Sequence, residues 1–123
     1  MFLLTAATDF EMKPFLAAWR GKSIPHLVTG IGPVETAVRL STRLHGSAET
    51  IRGVVNFGVA GAYVQPSPQD TPQLLDICLA EGEVFGDLGI CLDDRIEPIA
   101  GTGLRPPAAF SMDPGLLAAA AKA

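Results

Sequence analysis

Residues 54–63 read Val-Val-Asn-Phe-Gly-Val-Ala-Gly-Ala-Tyr and run from an apolar strand into a turn of small residues. The two valines and Phe57 favour a buried strand, and Gly58 and Gly61 leave no side chain between the main chain and a neighbour. Ligands of open α/β sheets bind outside the carboxyl ends of the strands, so this turn is a candidate ligand site. A purely structural interpretation stays open, because small residues also allow the next element to pack tightly.

Length, charge and hydropathy limit the classes of function. The chain has 123 residues, near the common domain size, and we expect one domain over 1–123. It carries 9 basic and 13 acidic residues, a net charge of −4, with the basic residues scattered. A nucleic-acid partner is therefore not expected. Apolar runs fall short of the roughly 20 residues of a membrane span, which predicts a soluble, cytoplasmic protein that does not bind membranes.

Short apolar runs alternate with helical patterns, which predicts an α/β fold. Residues 2–7 form an apolar run without alternation, typical of a strand that is covered on both faces of a parallel or mixed sheet. Further strands are predicted at 27–29, 54–57 and 74–79. Cys78 and Cys91 match neither a disulfide framework nor a zinc motif, and we interpret them as buried thiols in a reducing compartment.

Glu11 follows the first predicted strand and has two possible roles. Thr8 and Glu11 stand three residues apart, which matches a capping box at a helix start. Pro14 would damage a helix already under way at Thr8, so we expect the helix to begin nearer Pro14 and to leave Glu11 in a loop. Glu11 is then either a cap or a carboxylate that is free for chemistry.

Two other patterns were considered as binding sites. The turn Gly30-Ile31-Gly32-Pro33 opens a helix and presents N–H groups to anions or ligand oxygens. No third glycine follows at the spacing of the dinucleotide fingerprint, so a Rossmann cofactor is disfavoured and no cofactor is expected. Glu81, Glu83 and Asp87 alternate without a histidine, and we interpret them as a solvated face, not as a metal site.

Several stretches, in this order, resemble the purine-nucleoside phosphorylase and nucleosidase superfamily, and within it the futalosine hydrolases of menaquinone biosynthesis. They are Phe10-Glu11, Thr29–Glu35, Asn56–Tyr63, Glu83–Gly89 and Pro107–Phe110. The fourth stretch resembles the futalosine hydrolase form of a segment that carries Tyr-His-Asp in methylthioadenosine nucleosidases. The resemblance covers nearly the whole chain and implies a mixed central sheet that is flanked by helices.

The resemblance also implies roles for individual residues. A glutamate at the position of Glu11 helps to activate the attacking water. The resemblance assigns the nucleoside contacts to Gly30, Ile31, Gly32, Val59, Ala60, Gly61 and Phe85. The Gly-Asp-Pro-x-Arg phosphate loop of the phosphorylases has no counterpart at residues 7–11, which favours hydrolysis over phosphorolysis.

The sequence departs from the family in its length. Family members are longer, and their second half supplies a Met-Glu pair for the ribose and an aspartate that protonates the base. Residues 116–121 are strongly helical without a capping glycine before Ala123, which predicts a chain truncated inside a helix. We therefore expect an N-terminal half that is inactive alone and that forms a homo-oligomer or exposes core surface.

Three alternatives remain beside the futalosine hydrolase interpretation. A methylthioadenosine or adenosylhomocysteine nucleosidase would use the same mechanism on a smaller substrate with adenine as the base. A non-catalytic fragment would be stable only in assemblies that cover its sheet edges. A small nucleotide-binding domain would use the helix start after Gly32 and would prefer phosphorylated nucleotides.

Overall fold

The structure is a computed structural model that describes residues 1–47, 50–63, 71–86, 89–97 and 109–122. These residues form helices and strands, which confirms the α/β expectation at the level of secondary structure. The chain divides into two compact units, Met1–Tyr63 and Val64–Ala123, here called the first and the second unit. The single domain expected from the length stays a prediction.

The first unit is built on a parallel three-stranded sheet. Its strands are β1 (Phe2–Ala6), β2 (His26–Val28) and β3 (Gly53–Asn56), in the order β2-β1-β3. Leu4 of β1 stands opposite His26 of β2 and Val55 of β3. Because the three strands are parallel, their carboxyl ends form one edge of the sheet, and the loops that follow them start there.

Strand β1 is the centre of the core. Leu3 and Ala6 are fully buried, and Leu4 and Thr5 are buried beside them. Met12 of the helix α1 (Asp9–Ala18) is 1 % exposed and is the other large buried side chain among the described residues. The expected strand with both faces covered is confirmed, because the consecutive residues 3–6, whose side chains alternate between the two faces of the sheet, are all buried.

The order of the strands creates a crevice in the first unit. The chain runs from β1 to β2 on one side, and then through the helix α2 (Pro33–His45) to β3 on the other side of β1. Parallel crossovers are right-handed, so such a reversal sends consecutive connections to opposite faces of the sheet. A topological switch point of this kind, here between β1 and β3, is the common ligand site of open α/β sheets.

The start of helix α1 differs from the expectation. The helix begins at Asp9, with Pro14 inside it, and Thr8 and Glu11 form a complete capping box. The expected loop around Glu11 was wrong because Pro14 removes one backbone hydrogen bond, whereas the capping box and the burial of Met12 stabilise the first turn. Phe15 also packs its ring 5.0 Å from that of Phe57.

The second unit contains two separate strand pairs and a short helix. Strand β4 (Gly82–Val84) pairs antiparallel with β7 (Ala109–Ser111), and β5 (Ile90–Cys91) pairs antiparallel with β6 (Ile96–Glu97). Helix α3 (Pro114–Ala120) begins after Asp113, whose carboxylate accepts a hydrogen bond from Leu116 N at 2.8 Å. Asp113 is thus the N-cap of α3, and Pro114 lies in its first turn.

Two expectations for the second unit were wrong. Residues 74–79 do not form a strand, because Gln73 and Asp76 close a turn in which Gln73 N donates to the Asp76 carboxylate at 2.7 Å. Leu75 lies within this turn at a φ of 75°. Cys78 and Cys91 are exposed, not buried, since no described residue of this unit covers the segments that carry them.

None of the helices in the described ranges has both the length and the apolar composition that crossing a bilayer requires.

Candidate functional site

The carboxyl edge of the first sheet brings three loops together. Thr29 N donates to Ala6 O at 2.9 Å, and Gly30 N donates to Ala7 O at 3.0 Å, which ties the loop after β2 to that after β1. Phe57 N donates to Thr5 O at 3.0 Å and ties the loop after β3 to β1. The loops therefore leave the sheet as neighbours. They carry most of the site residues that the sequence predicts.

Glu11 joins two of these loops through its carboxylate. Its Oε1 accepts a hydrogen bond from Val59 N at 3.0 Å, across the crevice between β1 and β3. Its Oε2 accepts hydrogen bonds from Thr8 N at 3.0 Å and from Thr8 Oγ1 at 2.8 Å. A carboxylate offers about four acceptor positions, so these three bonds leave one for a water or a ligand.

The same hydrogen bonds set the ionisation of Glu11. The N–H of Val59, followed by the Thr8 hydroxyl, lowers the pKa of Glu11 below its ordinary value, although desolvation acts in the opposite direction. Donors that point at a carboxylate favour its charged form. Glu11 is therefore ionised at neutral pH and can accept a hydrogen bond or a proton there, but it is a poor proton donor.

Gly58 explains how the loop after β3 reaches Glu11. A Cβ atom built at this position would lie 2.5 Å from Glu11 Oε1, which is closer than side chains tolerate. A Cβ atom at Gly61 would meet no atom within 4 Å. Of these two glycines in the turn, Gly58 is thus the one that the contact with Glu11 requires.

The Gly30-Ile31-Gly32 turn lies at the same edge, at the end of β2. Gly30 and Gly32 have φ angles of 84° and 90°, a region that disfavours other residues. The Glu35 carboxylate lies over Gly30, and it forms an ion pair with Arg39 at 2.7 Å. A carboxylate at this helix start opposes anions, so the turn suits an uncharged ligand better than a phosphate group.

The predicted site residues thus fall into two groups. One edge of the first sheet carries Glu11, Gly30, Ile31, Gly32, Val59, Ala60 and Gly61. Phe85 belongs to the second unit, where it follows β4 and its ring meets that of Phe110 edge-on at 5.7 Å. The parallel sheet brings the first group together.

Sequence reasoning missed a polar pair at the same edge. Thr5 Oγ1 donates a hydrogen bond to Asn56 Oδ1 at 3.0 Å, between residues that stand opposite each other in β1 and β3. A signal was present in the sequence, since Asn56 is the one asparagine of the chain and follows two valines in an apolar strand. The partner, Thr5, could not be identified without the strand register.

The alternating acidic residues of the sequence lie in the second unit. Glu81 and Glu83 are exposed, and Asp87 lies outside the described residues. Within the described ranges, no three His, Cys, Asp or Glu side chains form a group that could hold a metal ion.

Comparison with known proteins returned no relative. No protein-family model, no curated protein and no solved structure matches this chain. The resemblance to nucleosidases therefore rests on the sequence stretches named above and stays a prediction.

Proposed function

We propose that this chain is the nucleoside-binding and water-orienting part of an enzyme that hydrolyses the N-glycosidic bond of futalosine or 6-amino-6-deoxyfutalosine, releasing the purine base in menaquinone biosynthesis. The reaction is assigned to the cytoplasm, and the sheet of the first unit is assigned to the central sheet of a nucleosidase. The observation that carries the proposal is the hydrogen bond of 3.0 Å by which Val59 N holds the Glu11 carboxylate at the switch point.

The chemistry of the reaction agrees with the state of Glu11. Cleavage of an N-glycosidic bond passes through an oxocarbenium-like state, which a water attacks while an acid protonates the leaving base. An ionised carboxylate orients the water by accepting one of its hydrogens and then takes up its proton. In this proposal the remaining acceptor position of Glu11 receives that water.

The two turns beside Glu11 are assigned to the nucleoside. Ile31 and Val59 are 77 % and 83 % exposed, so both offer apolar surface that a ribose or a base could cover. A Cβ atom at Gly32 or Gly61 would meet no atom within 4 Å, so the backbone of these two residues is open to a ligand, whereas the Glu35 carboxylate lies over Gly30. The Glu35 carboxylate beside Gly30 favours a nucleoside over a nucleotide, which argues against the nucleotide-binding alternative.

The proton for the departing purine must come from another group. The lowered pKa of Glu11 makes it unsuitable as the acid, and Glu35, which lies over Gly30 at the same edge, is ion-paired with Arg39. We assign the acid to residues that lie outside this edge, in a longer form of the protein or in a second copy of a homo-oligomer. Phe85 is assigned a substrate contact within the second unit.

The test measures hypoxanthine release from futalosine and futalosine binding by calorimetry. The 123-residue chain is compared with a chain extended through its downstream reading frame. We expect both to bind futalosine, and only the extended chain to release hypoxanthine. The Glu11→Gln variant of the extended chain should lose most of its activity, because general-base assistance contributes about 10²- to 10⁴-fold.

Asp9→Asn is the matched control, since Asp9 is an exposed carboxylate in the same helical turn and pairs only with Lys13 at 3.6 Å among the described residues. It should leave the activity unchanged. Hypoxanthine release by the 123-residue chain would refute the assignment of the acid to a longer form of the protein and would leave a second copy as its source. An extended chain that neither binds nor cleaves futalosine would refute the proposed function.

A parallel assay with methylthioadenosine separates the nearest enzymatic rival. Adenine release from methylthioadenosine, with futalosine left intact, would assign the chain to the methylthioadenosine and adenosylhomocysteine nucleosidases. Loss of that activity in Glu11→Gln would support the proposed role of Glu11, and only the proposed substrate would need to be revised.

A further inference from the structure

The pair formed by Thr5 and Asn56 has no part in the proposed hydrolysis so far. Thr5 is 2 % exposed, and its hydroxyl donates to Asn56 Oδ1 at 3.0 Å. The hydroxyl is buried in the sheet, whereas the side chain of Asn56 reaches the surface at the end of β3. A buried group therefore holds an exposed amide.

This hydrogen bond sets the direction of the amide. An asparagine carries one acceptor oxygen and two N–H donors, and the Thr5 hydroxyl occupies the oxygen. The Nδ2 atom then points away from Thr5 with both hydrogens available. Within the described part of the chain, no residue accepts a hydrogen bond from Asn56 Nδ2.

Asn56 and Glu11 lie on different sides of the sheet at the ends of β1 and β3. The next residue, Phe57, packs its ring on Phe15 of helix α1, and side chains alternate across a strand, so Asn56 faces the opposite side of the sheet. Glu11 lies on α1 and reaches the loop after β3 at Val59. Glu11 and Asn56 thus flank the strand ends from different sides.

We propose that Asn56 Nδ2 donates a hydrogen bond to a neutral acceptor atom of the bound nucleoside, and that Thr5 is the residue that positions it. This inference rests on the proposed function and adds a ligand contact to it. The acceptor is a ribose oxygen or a purine nitrogen or oxygen, both of which a neutral amide can bind without a charged partner.

The sequence allows a direct test by NMR spectroscopy. Because Asn56 is the one asparagine, labelling with ¹⁵N-asparagine gives a single pair of side-chain amide signals. Saturating futalosine should move this pair downfield in the 123-residue chain. Hypoxanthine alone should move it if the acceptor lies on the base, and only the whole nucleoside should move it if the acceptor lies on the ribose part.

Three variants test the roles of the two residues. Asn56→Asp removes the donor at nearly constant shape and should weaken futalosine binding about tenfold, the effect of losing one buried hydrogen bond. Thr5→Val removes the orienting hydroxyl and should weaken binding several-fold, on the order of half that free-energy change. Thr5→Ser restores the hydroxyl and should restore the affinity, which a role in packing alone would not predict.

Thr29→Val is the matched control, because Thr29 is a buried threonine of the same sheet edge whose hydroxyl bonds backbone oxygens instead. It should leave the Asn56 amide signals of the free protein in place.

If calorimetry shows futalosine binding while the Asn56 signals do not move, the inference is overturned and the proposed function stands. If futalosine does not bind at all, both are overturned. Equal affinities for Thr5→Val and Thr5→Ser would overturn the positioning role.

Discussion

The first and second units contain similar numbers of apolar residues but differ in how many of them are buried. In the first unit, Leu3, Leu4, Ala6 and Met12 are buried around a central parallel strand. In the second unit, no described side chain is buried, and Leu74, Leu75 and Ile77 are each more than 90 % exposed. This difference shows that apolar strand residues form a core where the strand has a neighbouring strand on each side, since isolated strand pairs are only marginally stable.

This contrast also explains where the candidate site lies. Glu11 is held by the capping box of α1 and by the loop after β3, in which Phe57 N donates to Thr5 O of β1. Each anchor is tied to the core of the first unit. A site that must hold a water and a ribose within fractions of an ångström needs such support.

The largest expected effect comes from the core of the first unit. Leu3→Ala should lower the free energy of unfolding by about 2–5 kcal/mol, because Leu3 is fully buried and its truncation leaves a cavity in the core. Leu74→Ala, the same change at an exposed leucine of the second unit, should change it by about 0.5 kcal/mol or less. Urea unfolding followed by circular dichroism measures both. Equal losses would show that the second unit has a core of its own.

The two helix caps give the next largest effect. Thr8→Ala removes the hydroxyl that caps α1 and also bonds Glu11, and it should cost about 1–2 kcal/mol. Asp113→Ala removes the cap of α3, whose residues are not buried, and it should cost at most about half as much. Thermal unfolding of the two variants compares them. A larger loss for Asp113→Ala would contradict the contrast between the units.

Gly58 offers a smaller and more local change. In Gly58→Ala the new methyl group must displace the Glu11 carboxylate from Val59 N, so the pKa of Glu11 should rise toward its ordinary value. Gly61→Ala adds the same methyl group to open space and should leave that pKa unchanged. Carboxyl ¹³C NMR titration follows Glu11 directly. An unchanged pKa in Gly58→Ala would mean that Val59 does not hold this carboxylate.

The smallest expected effect is the pH dependence that Glu11 contributes to stability. Its pKa is lowered in the folded state, so its contribution is complete above the ordinary glutamate pKa of about 4.3 and is lost as the pH falls through the folded value. The difference in unfolding free energy between the wild type and Glu11→Gln should therefore be constant near neutral pH and shrink on acidification. Urea unfolding at several pH values measures it, and a difference that grows in acid would contradict the lowered pKa.

Predictions from the sequence succeeded where they depended on neighbouring residues, as in a glycine turn, or on a continuous apolar run that is typical of a strand buried on both faces. The apolar run at 2–7 and the turn before Pro33 correspond to β1 and to the start of α2. The predicted helix start near Pro14 was wrong. The hydrogen bond lost at Pro14 is offset by the capping box and by the burial of Met12, and burial cannot be read from neighbouring residues in the sequence. The run 74–79 has strand composition but no strand beside it.

The sequence by itself determined the α/β class and the glycine turns after β2 and β3, and it indicated the capping box of Thr8 and Glu11 as one of two possibilities. These properties depend on residues within a few positions of one another. Only the tertiary structure decided that Val59 N donates to Glu11, that Thr5 stands opposite Asn56, and that Cys78 is exposed. The reason is that strand order, register and burial depend on contacts between residues far apart in the chain, which no local pattern specifies.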